Sequence, residues 1–440
     1  MNKKMKIFCY LKKYILKVIF TFIVVGIFIK LQYCFAVEDK RNVQWVADFN
    51  NERKNSLDAV YIGGSNAYAF FEAPIAYEHY GITVRPLCAN GLPLCAIKYF
   101  IIEAENKQKQ SLFIVGLNSF DSECTPDRIH FATDYMRFSK NKINLIKRMC
   151  DEGGIRGIDR LEFYFPVIRF HNRWEQLKSV DLVRKFDDVK GASNYGGFYK
   201  VKEVNELTKP NEIGAENKSN PYVETLIDLI DYCKSNNVNV IFVVSPQADR
   251  EDQYWGQLNY LCDVVKNAGY DVVDMMDNVD AEGLDVHTDF YNKLHTNIHG
   301  AVKTTDYLAK WLVDHYDLQD KRGMPEYADW DEAYKKYADI LSKHALPFEY
   351  SSNKRSYNLE VPSLNLESDD LQWNEIVGCD GYGIFSKDKG GAWDLLDEVD
   401  ATTLAWTDPS YSEGRIYTVV AFSKQESDIY WGKSDVNNNG

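Results

Sequence analysis

The stretch SLDAVYIGGSNAYAFF, residues 56–71, decides how the rest of the chain is read. An apolar run suited to a buried strand stops at Gly63-Gly64. Ser65 then opens SNAYAFFEAPIAYEHYG, which reads as the helix that follows. The alternation repeats outward from there. SLFIVGL (111–117), NVNVIFVVSP (237–246) and DVVDMM (271–276) are short apolar strands. PLCAIKYFIIEAENKQ (93–108), NPYVETLIDLIDYCKSNN (220–237), QYWGQLNYLCDVVKNAGY (253–270) and GAVKTTDYLAKWLVDHY (300–316) are helices with an apolar face. Strands this apolar, each followed by a longer helix, belong to a parallel sheet covered on both faces, an α/β three-layer architecture. Such sheets bind ligands beyond the carboxyl ends of their strands, so the residues just after each strand are the ones to inspect.

The amino terminus sets the compartment. Lys3, Lys4, Lys6, Lys12, Lys13 and Lys17 precede the uninterrupted apolar run Val18 to Ile29, too short for a full span unless Lys17 and Lys30 snorkel to the two interfaces. Residues 1–37 therefore read as an export signal retained as a membrane anchor, with cleavage near Ala36 as the alternative. The basic flank stays inside, which puts the body after about residue 38 on the far side of the membrane. The chain of 440 residues carries a net charge of −14, and because the first 37 residues hold seven Lys and no acid, the remaining 403 carry −21. A body this acidic repels a phosphate backbone and argues against nucleic acid as a partner. Seven of the nine cysteines (Cys88, Cys95, Cys124, Cys150, Cys233, Cys262 and Cys379) fall in that body without a CxxC or disulfide spacing, and most of them read as buried apolar groups.

Two regions break the α/β rhythm. Residues of about 120–210 are polar and aromatic (FATDYMRFSK, FYFPVIRFHNRW, YGGFYK) and read as an insertion or lid. There His171, Arg169, Arg173 and Trp174 could line a sugar or anionic surface, although ordinary packing is the favoured reading. Residues 318–345 read as a final helix within the body that spans 38–345. From 346 to 440 short alternating strands separated by Gly, Asp and Ser turns indicate a small all-β sandwich, with Trp373, Tyr382, Ile384, Tyr417, Val419 and Ala421 filling its core.

Four positions in the α/β body suit chemistry. Ser65 sits where a tight glycine turn lifts a hydroxyl above the sheet and the first helical N–H groups favour an oxyanion. It is equally a good N-cap. His295, in DFYNKLHTNIHG (289–300), offers a neutral imidazole to take a proton from such a hydroxyl. Asn118, after the strand 111–115, can donate an amide or cap a turn, and Gly91 in CANGLP (88–93) can offer a backbone N–H or simply make a turn. His299 lies four residues beyond His295, but no HExxH or carboxylate cluster accompanies it; it reads as a first-turn surface or capping residue, and neither a metal nor a cofactor is implied.

The order Ser65, Gly91, Asn118, His295 resembles the SGNH (GDSL-like) hydrolase superfamily over about residues 56–315. The opening GGSN and closing DFYN..H.N..GA.K are most similar to the exported, membrane-anchored group related to the lipoteichoic-acid D-alanylation protein and to polysaccharide O-acetylation proteins. The resemblance implies a flavodoxin-like three-layer sheet, Ser65 as nucleophile, Gly91 and Asn118 as oxyanion donors, and His295 as base. The implied chemistry is acyl transfer on a cell-envelope glycan or acylated polymer. The pattern departs from the family at Asn292, where an Asp normally stands three residues before the histidine; loss of that carboxylate typically costs about 10⁴-fold in turnover. Asp289 could substitute if the loop folds back. The segment LQW…GCDGYGIF…GAWDLL…TTLAWTD…EGRIYTVVAFS is similar to bacterial fibronectin type III domains, with Trp373, Tyr382 and Tyr417 at the family's aromatic positions. Three readings stay open: a serine acyl-hydrolase or O-acyltransferase, a catalytically degenerate surface binding protein, and an exported scaffold.

Overall fold

The computed structural model describes residues 3–35, 44–109, 111–179, 181, 198, 204–205, 207–209, 220–286, 289–344, 346, 356, 358–388, 393–425 and 428–434. Ala36, the proposed cleavage position, lies outside them.

Five parallel strands form the central sheet: β1 (Ala59–Gly63), β2 (Val84–Cys88), β3 (Leu112–Gly116), β4 (Val240–Val244) and β5 (Val272–Asp274), in the order β2-β1-β3-β4-β5. β1, β3 and β4 are buried throughout, as strands covered on both faces must be. The chain steps outward from β1 to β2 and then returns past β1 to β3. Right-handed crossovers therefore send the β1–β2 connection to one face and the later connections to the other. The helices obey this. Leu94–Glu105, Val223–Asn236 and Asp252–Asn267 pack side by side in one layer. Ala73–Tyr80, Ile298–His315 and Ala328–His344 pack in the other, around Ile75, Ile298, Val302, Tyr337 and Leu341. Because β1 and β3 are neighbours whose connections diverge, a crevice opens at their carboxyl ends.

The segment 65–81 forms two helices rather than one, Ser65–Ala69 and Ala73–Tyr80. Pro74 explains the break: it lacks the N–H that would bond the Phe70 carbonyl, and it suits a first helical turn. β6 (Phe290–Asn292) and β7 (His295–Thr296) make a tight hairpin where a plain loop was expected.

Residues Met1–Glu52 and Glu123–Ala192 cluster as one compact unit, so much of the expected insertion belongs with the amino-terminal segment. In this unit Lys3–Phe35 is one helix, of which Lys12–Gln32 is long and apolar enough to cross a membrane, with mean hydropathy 2.3. Arg169 pairs with Asp127 and Asp134, and Arg173 with Asp181, which gives these arginines packing roles.

The carboxyl-terminal region is antiparallel. One sheet has the order β11-β10-β13-β14 (Asp394–Asp400, Gly381–Lys387, Ile416–Gln425, Asp428–Trp431), and the other β12-β9-β8 (Ala405–Thr407, Asp370–Trp373, Leu364–Glu367). Trp373, Tyr382, Ile384, Tyr417, Val419 and Ala421 share one core drawn from both sheets, joined by Leu359, Leu371 and Ile376. β10 is buried on its other face as well, where Phe385 meets Val420 and Trp393.

Candidate functional site

Ser65 begins its helix directly beyond the carboxyl end of β1, with Gly64 as the cap. The first N–H groups of any helix lack intrahelical acceptors, so the hydroxyl stands beside the backbone N–H groups of Ser65 and Asn66, while that of Ala67 is taken by the Gly64 carbonyl at 3.1 Å. Gly64 is required by a close approach: a Cβ there would lie 2.1 Å from the Ser119 hydroxyl. Ser119 donates to the Asn66 amide oxygen at 3.1 Å, while Asn66 Nδ2 is buried without a partner among the described residues.

The Ser65 hydroxyl and His295 Nε2 are 2.7 Å apart although 230 positions separate them in sequence. The hairpin explains the orientation of the ring. Asn292 and His295 are register partners across β6 and β7, and the other ring nitrogen, Nδ1, lies 3.0 Å from Asn292 Oδ1. That oxygen also accepts the Leu294 backbone N–H at 2.9 Å, which identifies it as the amide's acceptor end. His295 Nδ1 must then carry the proton, leaving the Nε2 lone pair to receive the serine hydroxyl. Burial, helped by the positive charge of Arg250, pushes the imidazole down from 6.5 to about 4. The ring is thus a neutral acceptor at neutral pH, but protonating it is costly because its partner is an amide dipole and not a carboxylate.

Asp289 does not fold back onto the imidazole as the sequence suggested. Its carboxylate takes the Lys303 ammonium and the Asp285 backbone N–H, and both side chains of the ion pair are buried. It secures the base of the hairpin against the helix Ile298–His315, whose N-cap is Asn297. His299, expected at the surface, is buried in the first turn of that helix.

Three threonines missed in the sequence join the two ends of the site. The break at residues 70–72 leaves backbone groups without helical partners. Thr296 donates to the Ala69 carbonyl, Thr304 donates to the Phe70 carbonyl at 2.8 Å, and Thr305 accepts the Glu72 N–H at 2.7 Å. The segment after the serine is thereby fixed to the segment after the histidine. A proline-broken helix and a TT pair on a later helix were the only sequence signals.

Asn118 stands beyond β3, but its amide is engaged across the sheet. It donates to the Ser245 carbonyl at 2.9 Å and accepts the Ser245 N–H at 2.7 Å, locking the ends of β3 and β4. Tyr254 adds a bond to the Asn118 carbonyl at 3.0 Å, and the Arg250 guanidinium lies over the Tyr254 ring at 4.1 Å. Gly91 adopts φ +56° in the turn after β2, closed by Leu92 N–H to Ala89 carbonyl at 3.1 Å. That turn is tied to the serine's helix by Tyr68, whose hydroxyl donates to Asn90 Oδ1 at 2.5 Å. Phe198, from the aromatic segment YGGFYK, stacks on Tyr291 at 4.3 Å and flanks His295 at 5.3 Å, which screens the ring from water.

Ser65 and His295 are both part-exposed, so a solute can reach them. Among the described residues no cluster of three or more His, Cys, Asp or Glu side chains suits a metal ion, and the eight described cysteines are free. A scan of protein-family models gives no match to the chain, and a search of curated proteins gives none.

Proposed function

We propose that the protein is an extracytoplasmic, membrane-tethered serine acyl-hydrolase or O-acyltransferase of SGNH type that acts on cell-envelope polysaccharide or polymer esters. One observation carries the reading: the Ser65 hydroxyl, the His295 imidazole and the Asn292 amide are hydrogen-bonded in series. The strand order and the position of Ser65 beyond β1, at the switch between β1 and β3, support it further.

In the reaction, His295 Nε2 takes the serine proton as Oγ attacks the ester carbonyl carbon. The carbonyl oxygen becomes an oxyanion, met by backbone N–H groups around Ser65 and at Gly91, because the Asn118 amide is taken by Ser245. Collapse breaks the ester C–O bond, and the leaving alcohol oxygen takes the proton back from Nε2, leaving acyl-Ser65. Water or an acceptor hydroxyl then attacks the acyl carbon, losing its proton to the same nitrogen; the acyl C–Oγ bond breaks and Ser65 Oγ takes that proton back, which releases the acid or the new ester. The lipid bilayer holds the chain through the amino-terminal helix, and the sandwich, fibronectin-like in this reading, spaces or binds.

A fluorophosphonate probe tests the proposal. It is expected to label the full chain at Ser65, with labelling and ester turnover lost in Ser65→Ala, the latter by about 10⁴-fold or more. Labelling that survives the substitution would overturn it. Asn292 favours one second reading, a degenerate body that binds acylated polymer without turning it over; acetyl-ester turnover abolished by His295→Ala excludes that.

A further inference from the structure

The compact unit built from Met1–Glu52 and Glu123–Ala192 has an unusual relation to its own amino-terminal helix. The short helix Pro166–Arg169 and the turn His171–Gln176 run along the last turns of that helix, and the helix Leu161–Tyr164 packs on Pro166–Arg169. The Phe165 ring meets Phe28 edge-on at 5.4 Å, the Val167 N–H donates to Gln32 Oε1 at 3.2 Å, and Arg173 donates to the Phe35 carbonyl at 2.6 Å. The contacts climb in register, from Phe28 through Gln32 to Phe35.

Depth follows from helix geometry. A hydrocarbon core of about 30 Å takes roughly twenty helical residues, which is the length of Lys12–Gln32. Phe28 then lies about 6 Å inside the outer boundary of that core, and whatever packs against it is carried to the same depth. The segment that makes these contacts and the short helices packed on it expose large apolar side chains: Ile158 at 78%, Leu161 at 38%, Ile168 at 41% and Trp174 at 66%. Arg169 is held in ion pairs with Asp127 and Asp134, so its charge need not enter the lipid unpaired.

We propose that Ile158, Leu161, Ile168 and Trp174 form an interfacial foot that sinks into the lipid leaflet on the body's side of the membrane. The proposal rests on Lys12–Gln32 spanning the bilayer; it is independent of any activity at Ser65. A tryptophan at such a level suits the belt where an apolar ring meets headgroups. The occupant is lipid because the neighbouring surface, the exposed side of the spanning helix, is already lipid-facing, and the patch continues it.

The test uses the full chain in phosphatidylcholine–phosphatidylglycerol liposomes whose lipids are brominated near the headgroup or deep in the chains. Subtracting Trp174→Phe fluorescence from that of the unaltered chain isolates Trp174, and Ile158→Trp on the Trp174→Phe background reports a second site. Shallow bromines are expected to remove about half of each signal, deep bromines less, and aqueous iodide little. Quenching by iodide but not by bromolipid overturns the foot, as does protection from both, which would mean a protein partner or a second copy covers it. Alkaline carbonate separates the two failures: a chain that is extracted loses the span and the foot together, whereas a retained chain with iodide-quenched signals loses only the foot.

Discussion

In the carboxyl-terminal sandwich, Tyr417 donates to Asp408 nine residues away, and the Ile376 N–H donates to Tyr382 six residues away. In the parallel-sheet body the corresponding bonds join Ser65 to His295, Glu72 to Thr305 and Phe70 to Thr304, each more than 220 positions apart. Both regions bury aromatic and aliphatic side chains densely. They differ in the work given to polar groups. The sandwich uses them to close its own turns. The α/β body uses them to hold two distant segments at hydrogen-bond distance over a crevice. Such a body is sensitive to single polar changes in a way that the sandwich is not, and four substitutions test the contrast.

The largest effect is expected at Asn292→Asp. A carboxylate beside Nδ1 stabilises the imidazolium that forms during the reaction, and the converse change in a serine triad costs about 10⁴-fold. Ester turnover should therefore rise by at least 10²-fold, roughly, if the transferred serine chemistry is right. The same charge raises the His295 pKa from about 4, which an NMR titration of the ring reads directly. An unchanged pKa would show that the hairpin does not hold residue 292 against the ring.

Lys303→Met comes next. It leaves Asp289 charged and buried without its ammonium, at a cost of about 3–5 kcal/mol. Denaturant unfolding should show the loss in the α/β body, with the transition of the sandwich unmoved. A shift of the sandwich transition by the same amount would show that the two regions unfold together.

Tyr417→Phe removes the Asp408 bond inside the sandwich and should cost about 1 kcal/mol there. No change in ester turnover is expected, since the bond is local.

Arg250→Gln is the finest probe. Removing its positive charge raises the His295 pKa, so the acid limb of kcat/KM moves to higher pH. In the unaltered protein that limb is expected near pH 4, the His295 value. The stability sign follows from the same depression. Below pH 6.5 the unfolded ring binds a proton that the folded ring refuses, so this group's contribution is whole above pH 6.5 and lost as pH falls to about 4. A limb that stays in place in Arg250→Gln would remove Arg250 from the electrostatics of the site.

Much of this molecule was legible beforehand because it is local. Four of the five parallel strands show as apolar runs whose neighbours are helices, whereas β2, with Arg85 and Pro86 in its five residues, does not; the sandwich core shows as alternating aromatics within about sixty residues of each other. The pairing of Ser65 with His295 was approachable because both stand just beyond strands or before a helix, where a parallel sheet gathers them at one edge. Asn292 was legible as a departure, since it stands three residues before His295 where the resembled family carries Asp; the hairpin that pairs the two residues was not.

Other features depend on what a segment meets after folding. That Asp289 serves Lys303 and not the imidazole, that Asn118 spends its amide on Ser245, and that Phe198 arrives beside the ring are all contacts between separated elements. Residue type and spacing decided the layers, the strands and the two groups capable of chemistry, because periodicity and turn preference act within a few residues. The tertiary structure alone decided the tautomer of His295, the depression of its pKa and the threonine clamp, because burial and hydrogen-bond partnership are properties of the assembled interior.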